Sequence, residues 1–107
     1  MSKEDYWRWT ASEAVEHLRT GDITPVELIE AAISRIEEVD QFINALPIRC
    51  FERGIKQANT SEPKSILAGL PIAVKDYNDV SGVPTTYGSP IYAKNVPKTS
   101  DATIARL

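Results

Sequence analysis

The feature that most constrains the fold is an apolar run that ends abruptly on two charged residues. Gly69 opens the run over residues 70–74, and Lys75 and Asp76 follow directly. Such a run is typical of a strand buried on both faces, and open α/β sheets place their chemistry at the carboxyl ends of their strands. The sequence therefore predicts an α/β fold with a core strand over residues 70–75 and Lys75 largely buried at its carboxyl end.

Length and charge distribution indicate one domain with two regions. The 107 residues carry a formal charge of −3, but residues 1–62 hold seven basic and twelve acidic side chains (−5) and residues 63–107 hold five and three (+2). A nucleic-acid-binding protein would need a clustered basic face, which this chain lacks. We interpret residues 1–62 as mainly helical and residues 63–107 as the start of the α/β core that contains the Lys75 strand.

Cysteine and histidine usage argues against metal chemistry and disulfides. Cys50 is the only cysteine and His17 the only histidine, so neither an intrachain disulfide nor a cysteine metal cluster can form. The charged start of the chain lacks the apolar stretch of a secretory signal, and its longest apolar run is too short to cross a membrane. The sequence predicts a cytoplasmic protein without metal or cofactor.

Two helices have clear start signals. Thr10 and Glu13 have the spacing of a capping box, and Gly21 follows as a C-terminal stop. Thr24 and Glu27 repeat the capping-box spacing, with a proline at the first helical position. Both segments carry an apolar stripe at helical period, so we expect two amphipathic helices here.

The remaining segments have weaker signals. Residues 42–48 resemble a short extended segment, and residues 49–59 a third helix. From residue 76 onward the chain is rich in Gly, Pro, Ser, Asn and Asp, which predicts a long loop of the kind that is often functional. Ser100 or Asp101 is expected to cap a last helix. The chain itself is thus predicted to be helix-rich with one or two strands.

Lys75 has several possible roles on pattern alone. A lysine at a strand end is most often a solvated charge that stops the strand. Burial lowers the pKa of a lysine, and a neutral lysine can act as a base or as the nucleophile of a Schiff base. A phosphate-binding P-loop is excluded because Val74 and Asp76 flank the lysine, and Ser89 does not lie in the Gly-x-Ser-x-Gly motif of α/β-hydrolases.

Four motifs in order resemble one known family. They are Thr-Pro-Val-Glu-Leu at 24–28, Gly-Leu-Pro-Ile-Ala-Val-Lys-Asp at 69–76, Gly-Val-Pro-Thr-Thr-Tyr-Gly-Ser at 82–89, and Ser-Asp-Ala-Thr-Ile at 100–104 with Arg-Leu at 106–107. In addition, Ile-Asn-Ala at 43–45 is similar to the family's Asn-Ala strand. Together they resemble the opening of an amidase signature enzyme. The resemblance implies an amidase fold with a mixed β-sheet between helices, of which residues 1–107 form the N-terminal part.

The resemblance also implies a catalytic role for one residue of this chain. The family uses a serine nucleophile, a second serine with a cis peptide bond, and a lysine, and that lysine matches Lys75. In the family's layout both serines lie beyond Leu107, and Ser81 and Ser89 lie on the wrong segment to replace them. The resemblance therefore implies amidase activity on a small-molecule amide for the whole protein and an inactive chain when residues 1–107 stand alone.

Several alternatives stay open. Within the family, the chain could belong to the glutaminase subunit of a tRNA-dependent amidotransferase, which would require protein partners and tRNA; otherwise no nucleic acid is expected. From other classes, it could be a non-catalytic helical interaction module or a Schiff-base lysine enzyme. Exposed strand edges and incompletely covered apolar stripes favour a homo-oligomer.

Overall fold

A computed structural model describes residues 3–62 and 64–107 of the protein. The chain divides into two compact units, the first ending at Pro71 and the second comprising Ile72–Leu107. The first unit contains a 3-10 helix, Lys3–Arg8, and the helices α1, Ala11–Thr20, α2, Pro25–Ile43, and α3, Phe51–Asn59. The second unit contains a 3-10 helix, Pro90–Tyr92, and the short helix α4, Ala102–Arg106.

Both predicted capping boxes are present. The Thr10 hydroxyl accepts the Glu13 N–H at 3.2 Å, and the Glu13 carboxylate accepts the Thr10 N–H at 2.7 Å. Thr24 and Glu27 make the same reciprocal pair at 3.1 and 3.0 Å. Each box satisfies backbone donors that the first turn of a helix leaves unpaired. Gly21 ends α1 in the left-handed conformation, with φ of 79°. The predicted starts of α1 and α2 are confirmed.

The core of the first unit is small and lies where α1, α2 and the chain after α3 come together. The α2 helix also packs against the N-terminal 3-10 helix and against α3. The buried side chains are Ala14, Leu18, Ile23, Leu28 and Ala68, and the half-buried Tyr6, Trp9, Val15 and Leu70 pack against them.

The extended segment predicted over residues 42–48 is wrong. Helix α2 continues to Ile43, and Asn44 ends it in the left-handed conformation with φ of 54° and ψ of 42°. The carboxylate of Asp40, only 6% exposed, accepts the N–H of Ala45 at 2.7 Å and that of Leu46 at 3.4 Å. These bonds satisfy the backbone beyond the helix and, led by the one from Ala45, hold the pKa of Asp40 below its usual value.

The core strand predicted over residues 70–75 is not formed either. No part of the chain that the structure describes is a β-strand, and residues 71–75 belong to no regular element. A strand needs the N–H and C=O groups of a neighbouring strand, and no described residue makes a backbone hydrogen bond to residues 71–74. The chain is a helix-rich portion of a domain, and the expectation of one or two strands within it is corrected.

The second unit is held together by hydrogen bonds more than by an apolar core. Residues 79–85 run antiparallel to residues 95–101, with bonds from Gly82 N–H to the Pro97 carbonyl and from Thr85 N–H to the Asn95 carbonyl, both 2.9 Å. The Asn95 side chain returns a bond of 2.9 Å to the Thr85 carbonyl. Thr85 is 2% exposed and is the buried centre of this irregular hairpin.

None of the helices in the described part of the chain combines the length and the apolar character that a transmembrane segment requires.

Candidate active site

Lys75 lies at the surface of the second unit. Its side chain is exposed, in contrast to the burial expected from the sequence, because no strand in the described part of the chain covers residues 71–75. The Lys75 ammonium lies 4.8 Å from the centroid of the Tyr77 ring, within the range of a cation–π contact. It forms no ion pair with any residue in the described ranges 3–62 and 64–107.

The backbone turns sharply directly after Lys75. The Lys75 carbonyl accepts the N–H of Asn78 at 3.0 Å, which closes a turn with Asp76 and Tyr77 at its centre. The apolar run thus ends in a turn, and Lys75 directly precedes the two central residues of that turn.

The Asp76 carboxylate is hydrogen-bonded to the loop that contains residues 86–88. Thr86 donates twice to it, from its N–H to Oδ1 at 2.7 Å and from its hydroxyl to Oδ2. The Asp76 carbonyl accepts the N–H of Tyr87 at 2.9 Å. The bond from the Thr86 hydroxyl, followed by that from the Thr86 N–H, lowers the pKa of Asp76 below its ordinary value.

Tyr87 has a backbone conformation that is unusual for an aromatic residue. Its φ is +52°, in the left-handed region that mainly glycine and asparagine adopt. Its hydroxyl donates to Asp79 at 2.5 Å, and its ring meets that of Tyr92 edge-on at 5.2 Å between centroids. The bond to Asp79 and, to a smaller degree, burial raise the pKa of the Tyr87 phenol above its ordinary value.

The Asp79 backbone is in turn fixed to the start of α4. Asp79 N–H donates to the Asp101 carboxylate and its carbonyl accepts the Asp101 N–H, both at 3.0 Å. Asp101 occupies the predicted N-cap position of α4, but its side chain makes no capping bond to that helix. Its carboxylate serves the neighbouring loop instead, and sequence spacing could not show this.

The serines within the second unit have local structural roles. The Ser81 hydroxyl donates to the Lys98 carbonyl at 3.0 Å, and the Ser89 hydroxyl accepts the N–H of Ile91 at 3.4 Å at the start of the second 3-10 helix. Both hydroxyls are therefore engaged with backbone groups of the same unit.

The usual metal-binding side chains form no metal site among the residues that the structure describes. Within the described ranges, no three His, Cys, Asp or Glu side chains are grouped closely enough to hold a metal ion. His17 stacks on Trp9 with 4.2 Å between ring centroids, and its Nδ1 lies 3.2 Å from Asp22. Cys50 is exposed.

Sequence reasoning found Lys75 but missed the polar network next to it. The structure joins Asp76 to Thr86 and Tyr87, which follow it by ten residues or more in the chain. Tyr87 is linked in turn through Asp79 to Asp101. The signal available in the sequence was the acidic residue directly after the lysine, facing two successive threonines within a turn-rich loop.

Comparison with known proteins identifies the class. The family model described as Amidase matches residues 27–107. The chain therefore belongs to the amidase family, in agreement with the amidase signature motifs.

The relatives that match the chain are amidases and amidotransferase subunits. It is 34% identical over 95% of its length to a subunit of the glutamyl-tRNA(Gln) amidotransferase of Streptomyces coelicolor. It is 33% identical over 91% of its length to the corresponding amidotransferase subunit of Thermus thermophilus, and 29% identical over 97% to the indoleacetamide hydrolase of Bradyrhizobium diazoefficiens. The chain covers 22%, 20% and 21% of these three proteins, so it spans about a fifth of their length.

Proposed function

We propose that this chain supplies the catalytic lysine, Lys75, of an amidase that hydrolyses the C–N bond of a small carboxamide. The observation that carries the proposal is the position of Lys75 in a chain of this family, at the end of an apolar run and directly before the turn at residues 76–77. The adjacent Asp76 carboxylate is bound by Thr86, and the amine has no ion-pair partner in the described part of the chain. The loop therefore holds the Asp76 carboxylate, and the Lys75 side chain can contact groups in the remainder of the proposed enzyme, as a general base must.

In this proposal the neutral Lys75 amine accepts a proton that a bridging serine relays from a nucleophilic serine. The nucleophile attacks the amide carbonyl, the C–N bond breaks, and ammonia or an amine leaves after taking up a proton. Water then cleaves the acyl-enzyme to the carboxylic acid, so that one water is consumed for each amide. Both serines and the donors for the oxyanion belong to the remainder of the proposed enzyme.

The proposed whole enzyme has an α/β architecture with a mixed sheet between helices. In it, residues 70–75 would pair with strands from the remainder of the protein, and this pairing would cover Lys75. The apolar character of residues 70–74 supports the idea, since such a run is typical of a strand that is buried on both faces.

A second candidate within the family is a glutaminase subunit of a tRNA-dependent amidotransferase. It is favoured by the names of the relatives from Streptomyces coelicolor and Thermus thermophilus. The chemistry at Lys75 would be the same, with the side-chain amide of glutamine as substrate and with partner subunits and tRNA required. Ammonia release from glutamine that depends on partner subunits supports this candidate, whereas turnover of simple carboxamides by the isolated enzyme supports the amidase.

Substitution of Lys75 in the full-length protein tests the shared chemistry. Ammonia release from a panel of carboxamides that includes glutamine should fall ~10²–10⁴-fold in Lys75→Ala, the range typical of a lost general base. Lys75→Arg should do no better, because a guanidinium does not deprotonate. Lys94→Ala, which removes an exposed lysine of the same unit, is the matched control and should keep its turnover. Near-native turnover in Lys75→Arg would contradict the role of Lys75 as a base.

The chain of 107 residues should release no ammonia in the same assay. It carries one of the three proposed catalytic side chains, and the hydroxyls of Ser81 and Ser89 are engaged with local backbone groups. Turnover by this chain that disappears in Lys75→Ala would show that a nucleophile lies within these residues.

A further inference from the structure

The residue after Lys75 is fixed by three hydrogen bonds from one short segment. Asp76 accepts the N–H and the hydroxyl of Thr86 with its two carboxylate oxygens and the N–H of Tyr87 with its carbonyl. Two donors of one residue on the two oxygens of one carboxylate fix both its position and its rotation. The contact spans ten residues of sequence, so it orders the intervening loop as well as the turn.

Thr86 is itself held by the same segment. Its hydroxyl donates to Asp76 and accepts the N–H of Gly88 at 3.3 Å, and its carbonyl accepts the N–H of Ser89 at 2.9 Å. We name the pair Asp76 and Thr86, with these bonds, the carboxylate clamp. Hydrogen bonds to an ionised group are the stronger ones in proteins, so the clamp is suited to holding a turn rigid.

The carboxylate clamp does not include the Lys75 amine, but it holds the backbone directly after Lys75. The Lys75 carbonyl is bound by Asn78, and the next residue is bound by Thr86 and Tyr87. The Lys75 amine lies at the end of a flexible four-carbon stem, so the backbone sets the point from which the amine approaches a reaction centre. Catalysis by a base depends on such placement, and a misplacement of about 1 Å can reduce the rate ~10²-fold.

We propose that Asp76 and Thr86 are positioning residues that hold Lys75 in the orientation it needs for proton transfer. This inference rests on the proposed function of Lys75 and adds to it two residues that do not touch the substrate. The structural observation behind it is the closure of the turn at residues 75–78 on the loop at residues 86–88, with the carboxylate bound to the loop and not to the lysine.

A matched pair of substitutions at Thr86 in the full-length protein tests the inference. Thr86→Val keeps the shape of the side chain and removes the hydroxyl, whereas Thr86→Ser keeps the hydroxyl. In Thr86→Val, kcat should fall ~10²-fold with little change in KM, because placement of the base affects the transition state more than substrate binding. Thr86→Ser should restore kcat to within about threefold of the native value, since the donor to Asp76 is retained.

A second variant keeps the inference testable if Thr86→Val does not fold. A control variant shows whether substitutions elsewhere in the same unit also lower kcat. Asp76→Asn retains an acceptor for the Thr86 N–H and loses the charge, and its kcat should fall at least about tenfold. Because both residues act through one clamp, the double variant Thr86→Val with Asp76→Asn should be no worse than the poorer single variant. Thr99→Val, at an exposed position of the same unit, should keep its kcat.

Including Lys75→Ala in the series makes the possible failures distinguishable. If Lys75→Ala abolishes turnover while Thr86→Val and Asp76→Asn keep native kcat, the carboxylate clamp has no positioning role and the proposed function stands. If Lys75→Ala keeps native turnover, the proposed function fails, and the inference fails with it. A fall in kcat that Thr86→Ser does not restore, or one accompanied by an equal rise in KM, would also overturn the inference.

Discussion

Replacing Gly69 with alanine tests how the segment after α3 packs on the first turn of α2. Gly69 has φ of +91°, and a Cβ at this position would lie 2.7 Å from Cγ of Pro25 and 2.7 Å from Oγ of Ser61. Neither neighbour can move freely. The Pro25 ring is rigid and begins α2, and the Ser61 hydroxyl donates to the Ala58 carbonyl at 3.0 Å.

The expected cost is the sum of two terms. A left-handed backbone costs an alanine ~1–2 kcal/mol relative to the preferred region. The two close contacts add the cost of overpacking, about 1–3 kcal/mol. Gly69→Ala should therefore lower the free energy of unfolding of the first unit by about 2–5 kcal/mol, a large part of the stability of a small domain.

Gly21→Ala is the matched control, because it separates the two terms. Gly21 also has positive φ, +79°, but a Cβ there would meet no atom within 4 Å. Its replacement should cost only the backbone term of ~1–2 kcal/mol. Both variants should be compared by urea unfolding followed through the fluorescence of Trp7 and Trp9, which both lie in the first unit. Equal destabilisation by the two substitutions would refute the close approach of residue 69 to α2.

Three further outcomes are expected. Because the folded-state pKa of Asp76 is lowered, its contribution to stability is present above the ordinary value of 3.8 and is lost as the pH falls through the lower folded value. The protection factor of the Thr86 amide, which corrects for the intrinsic exchange rate at each pH, should fall there in the native protein and should not show this fall in Asp76→Asn. The raised pKa of Tyr87 should move back towards 10.0 in Asp79→Ala, measured by NMR of a ring-labelled tyrosine, and an unchanged value would contradict the hydrogen bond to Asp79. The chain of 107 residues should self-associate, because large apolar side chains such as Ile66 and Ile91 are exposed. A sedimentation coefficient that corresponds to a monomer at every protein concentration would contradict this.

Local sequence determined the helical starts and stops in the first unit. The reciprocal bonds of Thr10 with Glu13 and of Thr24 with Glu27 use side chains three residues apart, so their spacing predicts them without knowledge of the rest of the fold. Gly21 likewise ends α1 because of its own backbone freedom. The family resemblance was also readable from sequence, since four short motifs carry it in order, and the family match confirms it.

Only the tertiary structure determines the conformation and the contacts of segments that lack local sequence signals. Residues 70–75 have the composition of a strand, but a strand forms only against a partner, and the described chain provides none. Asp101 has the right position for a cap, but its carboxylate binds Asp79, twenty-two residues away in sequence. The clamp between Asp76 and Thr86 has the same character. Helix caps close within one turn of the chain and can be predicted from spacing, whereas hydrogen bonds between distant loops depend on a path of the backbone that many weak interactions set together.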